Sequence, residues 1–116
     1  MTTGEFIKLL SEDASWTAGE DFGHESDILL RKNCACIIHR YLQKVIGEPD
    51  ETSDLPSSAD IPDLYDCRIC APHIIQLIAK GMMEPRCRGV LMLFEGEAEV
   101  SEDDAVCFAE RIRCRG

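Results

Sequence analysis

Apolar residues recur at helical spacing in several parts of the chain. The strongest pattern runs from 29 to 46, where steps of three and four place the apolar residues on one face. These residues are Leu30, Cys34, Ile37, Ile38, Tyr41, Leu42, Val45 and Ile46. Asp27 or Ser26 can cap the start, and Gly47 and Pro49 end the pattern. The segment is therefore predicted to form the main helix of the protein.

Two further helices are predicted from shorter patterns. At the N-terminus, Thr2 and Glu5 have the spacing of a capping box, and apolar residues follow them. A second pattern covers 68 to 82, with Pro72 in it and Gly81 near its end. Because proline is tolerated only in the first turn, we expect the regular helix to begin close to Pro72.

The C-terminal part predicts a fourth helix, over 101 to 113. Ser101 and Asp104 again have capping-box spacing, and acidic residues fill the first turn. The run 90 to 94 is the one strand-like segment, and a short β-ribbon or a buried connector would both explain it. The sequence therefore predicts an all-α fold of four helices, with a short β-ribbon left open.

The chain divides into two similar halves. A stretch rich in Pro, Ser, Asp and Glu, 48 to 62, reads as a linker between unit 1–47 and unit 63–116 of a single domain. At an offset of 71 residues the halves match at several positions: Arg40 with Arg111, Cys36 with Cys107, Ile37 with Phe108, Leu29 with Val100 and Phe6 with Leu77. Because repeat units of this kind do not close a core alone, we expect them to pack together.

The charge excludes some classes of function. The formal net charge is −10, from 22 acidic and 12 basic residues. Such a field repels phosphate backbones and anionic lipids, so nucleic-acid binding is not predicted. Five arginines in the C-terminal half are interpreted as solvated partners of nearby acids: Arg86, Arg88, Arg111, Arg113 and Arg115. No stretch reaches the ~18–20 apolar residues that span a bilayer, so membrane insertion is not predicted.

No basic start followed by an apolar run marks a signal peptide, so the sequence as it stands predicts a cytoplasmic protein. A location at the cell surface is the alternative, if a leader has been removed. No catalytic constellation stands out, and the sequence therefore predicts a non-enzymatic protein.

Seven cysteines are an odd number, and they lie inside apolar patterns as small hydrophobic residues do. We therefore expect reduced thiols. Cys67, Cys70 and His73 follow one another at steps of three, near one face of a helix, and these residue types bind zinc. A small zinc protein, with Cys87 or an acid as fourth ligand, is one alternative; packed thiols without a cofactor is the other.

The segment 63 to 112 resembles an S-layer homology domain. Asp63-Leu64 matches the family's opening, and Ala79-Lys80-Gly81-Met82 matches the turn after its first helix. Gly89 and Phe94 match the loop. Val100-Ser101-Glu102 matches the start of the second helix, and in the first half Leu29-Leu30-Arg31 holds the same position.

The resemblance implies a binding module that anchors proteins to acidic secondary cell-wall polysaccharides. It also implies that an arginine at the start of the second helix meets the acidic sugar through charge-assisted hydrogen bonds. Arg31 holds that position in the first half. Arg31, Asp63 and Gly81 are therefore the candidate polysaccharide-binding residues.

Two departures from the family pattern favour a second hypothesis. Glu102 reverses the charge of the expected arginine in the second half, and Ile69 stands where the family has tryptophan. The chain also has two units where three are usual. A cytoplasmic regulatory or adaptor protein that kept the fold is the alternative function. The predicted ligand is either the cell-wall polysaccharide or a protein partner that supplies the missing unit, and the groove left by that unit also allows a homodimer.

Overall fold

The computed structural model describes residues 1–115. Its elements are α1 (Thr3–Leu10), a 3₁₀ turn (Ser15–Thr17), α2 (Arg31–Tyr41) with a π-helical extension (Leu42–Ile46), α3 (Ala71–Ala79), β1 (Arg86–Arg88), β2 (Leu91–Leu93) and α4 (Glu102–Arg115). Helix α2 packs along α3, and α1 packs against α4. None of the helices in residues 1–115 combines the length and apolar character that crossing a membrane requires.

The first helix begins as its sequence predicts. The Thr2 side chain accepts from the Glu5 N–H, and the Glu5 carboxylate accepts from the Thr2 N–H, so the capping box is complete. Helix α4 also begins after its predicted cap, because Ser101 Oγ accepts from the Asp104 N–H at 3.1 Å. Local hydrogen bonds thus set both helix starts.

The start of α2 differs from the prediction. Leu30 is the N-cap residue and gives no side-chain hydrogen bond, so neither Asp27 nor Ser26 caps the helix. Asp27 instead accepts from the His24 N–H at 2.9 Å and stabilises its own turn. The helix ends at Gly47, whose φ of 76° reverses the chain direction as a glycine after a helix does.

The prediction of an all-α fold is wrong, because the structure contains a β-hairpin and is a mixed α/β fold. Strands β1 and β2 are antiparallel, with Arg88 opposite Leu91. The two-residue loop between them begins with Gly89 at φ 65°, a conformation that tight hairpin turns require. The prediction failed because β1 reads Arg-Cys-Arg and has no apolar side to mark it as a strand.

The two predicted units pair through the segments that precede α2 and α4. Leu30 and Glu99 form an antiparallel bridge. The Arg31 N–H donates to the Ala98 carbonyl at 2.9 Å, and the Val100 N–H donates to the Leu29 carbonyl at 2.9 Å. Backbone groups that would otherwise be left without partners at the two helix starts are therefore satisfied across this interface.

The linker between the units is fastened to α3. The buried amide of Gln76 accepts from the Glu51 N–H at 2.7 Å and donates to the Glu51 carbonyl at 3.0 Å, as a neighbouring strand would. Lys80 donates to the Pro49 carbonyl at 2.6 Å and pairs with Glu48 at 2.8 Å. The start of the linker thus has fixed partners although its composition is that of a flexible segment.

One continuous core lies between these elements. Its largest fully buried side chains come from both halves of the chain: Phe6, Leu29, Ile37, Ile38, Leu42, Leu64, Leu77, Met82, Met83 and Phe94. Trp16 is buried at its edge, where its ring meets Tyr41 edge-on at 5.3 Å. Burial of this apolar surface is the main driving force for folding.

Leu29→Ala should destabilise the fold by about 2–5 kcal/mol, because its side chain is fully buried where the two units meet. Ile28→Ala is the matched control, since Ile28 is 55% exposed, and its cost should stay within about 0.5 kcal/mol. Chemical denaturation of the three proteins measures the difference. Equal stabilities would contradict the described interface.

Candidate functional site

Arg31 is buried, and its guanidinium group holds two other parts of the chain. Its Nε donates to the Phe94 carbonyl at 2.9 Å, and its Nη2 donates to the Glu84 carbonyl at 2.7 Å. The guanidinium carbon also lies 4.7 Å from the centre of the Phe94 ring. Burial lowers the pKa of Arg31, with the nearby Arg86 as a smaller cause. The main contacts of Arg31 are therefore structural.

Asp63 organises the same loop from the other side. Its two carboxylate oxygens accept from the Phe94 N–H at 2.7 Å and from the Glu95 N–H at 2.8 Å. Arg31 and Asp63, both predicted as binding residues, thus meet at the backbone of Phe94. The Arg31 guanidinium binds the Phe94 carbonyl, and the Asp63 carboxylate binds the Phe94 N–H. Together they fix the loop that follows β2.

Gly81, the third predicted binding residue, lies apart from this pair. It follows α3 with a φ of 72° and donates to the Ile78 carbonyl at 3.1 Å. The next residue, Met82, donates to the Leu77 carbonyl at 2.9 Å, so the helix ends in a glycine-dependent turn. The structure gives Gly81 a role in ending the helix and does not bring it to Arg31 and Asp63 as one site.

The three residues predicted as zinc ligands, Cys67, Cys70 and His73, do not form a metal site in the structure. Cys67 and Cys70 form a disulfide, so the expectation of seven reduced thiols is wrong for these two. Steps of three at the start of a helix bring the two sulfur atoms together. The His73 ring contacts α2 instead, and within residues 1–115 no group of three or more His, Cys, Asp or Glu side chains is arranged to hold a metal ion.

An arginine-lined cleft lies between the start of α2 and the outer face of α4. Its volume is about 260 Å³. Its cations are Arg31, Arg86 and Arg111, and its other lining residues are Glu84, Pro85, Asp104, Cys107 and Phe108. Residues 104, 107, 108 and 111 follow helical spacing, so α4 supplies one wall. We call this feature the arginine cleft.

Arg86 and Arg111 have acidic partners in the cleft, whereas Arg31 donates to backbone carbonyls. Arg111 pairs with Glu84 at 2.7 Å and also donates to the Met82 carbonyl at 3.0 Å. Arg86 lies 3.3 Å from Glu95 and 3.8 Å from Asp104. The Glu84 side chain is 61% exposed. Because exposed ion pairs contribute little free energy, an acidic ligand can displace Glu84 from Arg111 at small cost.

A second polar group, the Asp–His–His chain, lies between α2 and α3. Its members are Asp50, His39 and His73. The Nε2 of buried His39 lies 2.7 Å from Asp50 Oδ1, and its Nδ1 lies 2.8 Å from Nδ1 of His73. Gln43 also donates to Asp50, at 3.1 Å. The carboxylate thus fixes the first imidazole, which in turn orients the second.

The Asp–His–His chain borders a cavity of about 610 Å³. The cavity has apolar walls from Leu55, Pro72 and Ile75, and polar groups from His39, Asp50, Tyr65, Arg68 and Gln76. Burial, and then the neighbouring His39, lower the pKa of His73 to about 4. At neutral pH His73 is therefore an uncharged imidazole. The hydrogen bond from His39 lowers the pKa of Asp50, which stays ionised.

Sequence reasoning missed this chain and part of the arginine cleft. The members of the Asp–His–His chain are spread over two helices and the linker, so no short motif joins them. Arg86 and Arg111 were interpreted as solvated surface residues. The offset match between Arg40 and Arg111 singles out an arginine on α4, but only the packing of α4 against Glu84 shows that it lines a cleft.

Comparison with known proteins supports the fold. No protein-family model and no curated protein matches this sequence. The chain is similar in structure to an undecaheme cytochrome from the S-layer of Carboxydothermus ferrireducens, with a TM-score of 0.66 and 15% sequence identity. The match covers 96% of this chain and 16% of that one, so the chain spans about a sixth of its structural relative. At this identity the likeness shows a shared fold.

Asp63→Asn should lower the free energy of unfolding by about 1–3 kcal/mol. The substituted amide loses one acceptor and turns its own N–H₂ towards a backbone donor. Asp66→Asn removes the same charge from an exposed neighbour and should be nearly neutral. Urea denaturation compares the two variants. An unchanged stability of Asp63→Asn would show that the carboxylate does not hold the loop.

Stability should fall as the pH drops from about 6.5 to about 4, because His73 takes up a proton in the unfolded chain before it does so in the folded one. The lowered pKa means that this contribution is complete above pH 6.5. We expect a loss on the order of 1 kcal/mol, allowing for partial exposure. The charged or titratable groups facing His73 are His39, Arg40, Glu20 and Asp50.

The pH series is measured by thermal or urea denaturation of three proteins. His73→Gln should flatten the pH dependence over this interval, whereas His24→Gln should leave it unchanged, since His24 is exposed. An equal slope in the wild-type protein and in His73→Gln would show that His73 is not the titrating group.

Proposed function

We propose that this protein is a non-enzymatic binding module of the S-layer homology type, and that the arginine cleft binds an acidic group of a cell-wall polysaccharide. The observation that carries the proposal is the convergence of three guanidinium groups on one cleft in a chain of net charge −10. A net charge of −10 repels anions from the protein as a whole, so a local cluster of cations is where an anion would attach.

In this proposal the three arginines have different tasks. Arg31 is held by two backbone carbonyls and contributes a fixed positive charge at the floor of the cleft. Arg111 is about one-third exposed and can exchange its single contact with Glu84 for a ligand carboxylate, to which a guanidinium group can donate two parallel hydrogen bonds. Arg86 has the longer contacts to acids and can turn towards a second oxygen. Phe108 and Pro85 give an apolar surface for a sugar ring.

The resemblance of the sequence to S-layer homology domains supports this proposal. The structural relative is described as a protein of an S-layer, which is the same cellular setting. The proposed function does not include haem attachment. A covalently attached haem needs a histidine directly after the second cysteine, and Ala71 follows Cys70 in this chain.

A regulatory or adaptor protein without carbohydrate binding is the second candidate. One observation favours it: Arg31, which holds the family's sugar-binding position in the first half, is only 4% exposed. The acidic partners of Arg86 and Arg111 would then close the cleft permanently. The two candidates differ in what Glu84 does, since it is a displaceable cover in the first and a fixed partner in the second.

The test is binding of the purified protein to bacterial cell-wall sacculi, with and without their secondary polysaccharide. Arg111→Gln should weaken binding about ten-fold, which corresponds to about 1.4 kcal/mol. Glu84→Gln should strengthen binding, because Arg111 no longer needs to release a carboxylate. Binding should also weaken as salt is added.

Arg113→Gln is the matched control, because it removes the same charge from the same helix outside the cleft. Equal losses in Arg111→Gln and Arg113→Gln would indicate general attraction and not a site. No binding in any sample would remove the polysaccharide from the proposal and leave the adaptor. Arg31 is left unchanged in this test, because its replacement would disturb the fold.

A further inference from the structure

The Cys67–Cys70 disulfide lies at the start of α3. Cys70 is the residue directly before this nine-residue helix, and its N–H donates to Cys67 Sγ at 3.3 Å. Two cysteines separated by two residues at a helix start are a setting in which the thiolate is stabilised. The helix dipole and the backbone N–H both favour negative charge on sulfur there.

We propose that Cys67 and Cys70 form a redox-active pair that exchanges with low-molecular-weight thiols and disulfides. This activity is separate from polysaccharide binding, since the pair does not line the arginine cleft. A disulfide that closes so short a loop restricts the unfolded chain only slightly, so it would add little stability to the fold. The location is instead that of a reactive disulfide.

Access to the two sulfur-bearing residues is unequal. Cys70 is 6% exposed, whereas Cys67 is partly exposed and lies two residues before Ile69, which is 84% exposed. A cavity of about 290 Å³ adjoins the pair. Asp21, Lys32 and Asn33 supply polar groups to its lining. A cavity of this volume suits a small thiol better than a segment of a folded protein, and Cys67 is the more exposed of the two disulfide cysteines that line it.

The exchange proceeds in two balanced steps. The thiolate of a small thiol attacks Cys67 Sγ, the Cys67–Cys70 bond breaks, and Cys70 leaves as a thiolate that then takes up a proton. A second small-thiol thiolate attacks the small-molecule sulfur of the mixed disulfide, which releases the Cys67 thiolate. Two thiols are oxidised to one disulfide while the protein disulfide is reduced to two thiols. The reverse sequence reoxidises the pair.

The neighbouring thiols are poor competitors in this reaction. Cys36 lines the same cavity, but burial raises the pKa of its thiol to about 11, so little thiolate forms at neutral pH. Burial raises the pKa of Cys34 further still. Cys36 therefore serves as an internal control, because it lines the same cavity but should react little with small thiols or disulfides.

The experiment equilibrates the full chain in buffers of varied reduced and oxidised glutathione, then quenches it with acid, alkylates free thiols and maps the peptides by mass spectrometry. We expect one reversible two-electron transition confined to the Cys67–Cys70 peptide. Circular dichroism at each ratio checks that the protein stays folded. A disulfide that resists glutathione until the protein is denatured, or thiols that never pair in oxidising buffer, would overturn the proposal.

Single substitutions test the assigned order of attack. With oxidised glutathione, Cys70→Ser should accumulate the mixed disulfide at Cys67 at least ten-fold faster than Cys67→Ser accumulates it at Cys70. Cys36→Ser should behave as the wild type. Equal rates in the two variants would overturn the roles proposed for Cys67 and Cys70, and peptide mapping separates these sites from the exposed Cys87, Cys107 and Cys114.

Discussion

The arrangement of the two halves depends on the hydrogen bonds that the buried guanidinium group of Arg31 makes. The guanidinium group carries a charge that has lost nearly all of its water, and two backbone carbonyls with one aromatic ring replace that water. An uncompensated buried charge is costly, so the carbonyls of Glu84 and Phe94 have to stay where they are. The start of α2 is thereby tied to two separate segments of the second half.

Asp63 adds the opposite charge at the same place. Since one residue binds the carbonyl of Phe94 and the other binds its amide, the loop after β2 is held at both polar groups of one residue. That loop also receives the Lys32 N–H, at the Gly96 carbonyl. Ionised side chains act here mainly on the backbone, which explains why two residues predicted to bind polysaccharide have structural contacts instead.

Local signals in the sequence were sufficient for the helices that begin with a side-chain cap. The pair Thr2–Glu5 and the hydroxyl of Ser101 place the starts of α1 and α4 correctly, because these bonds span only three residues. The start of α2 was misplaced because its first N–H groups bond to the carbonyls of Ala98 and Gly96, which no local pattern reveals.

In the candidate sites, too, contacts between residues close in sequence could be predicted, and contacts between distant residues could not. The spacing of Cys67 and Cys70 predicted that their side chains lie close together, and the two sulfur atoms form a disulfide. The contact between His39 and His73 spans 34 positions and could not be read from spacing. Likewise, β1 was missed because a strand of Arg-Cys-Arg takes its structure from the pairing with β2 and not from its own apolar side chains.

The fastening of the linker to α3 has a consequence for the connectivity of the protein. Pro49 and Glu51 are bound to α3 at one end, and Ile61 is buried in the core at the other. Residues 52–55 between these points are exposed, and the contacts that hold the halves together do not depend on them. A cut in the chain at these residues would leave the Arg31 contacts and the interface between the halves intact, so this is the segment where a nicked form of the protein should stay folded.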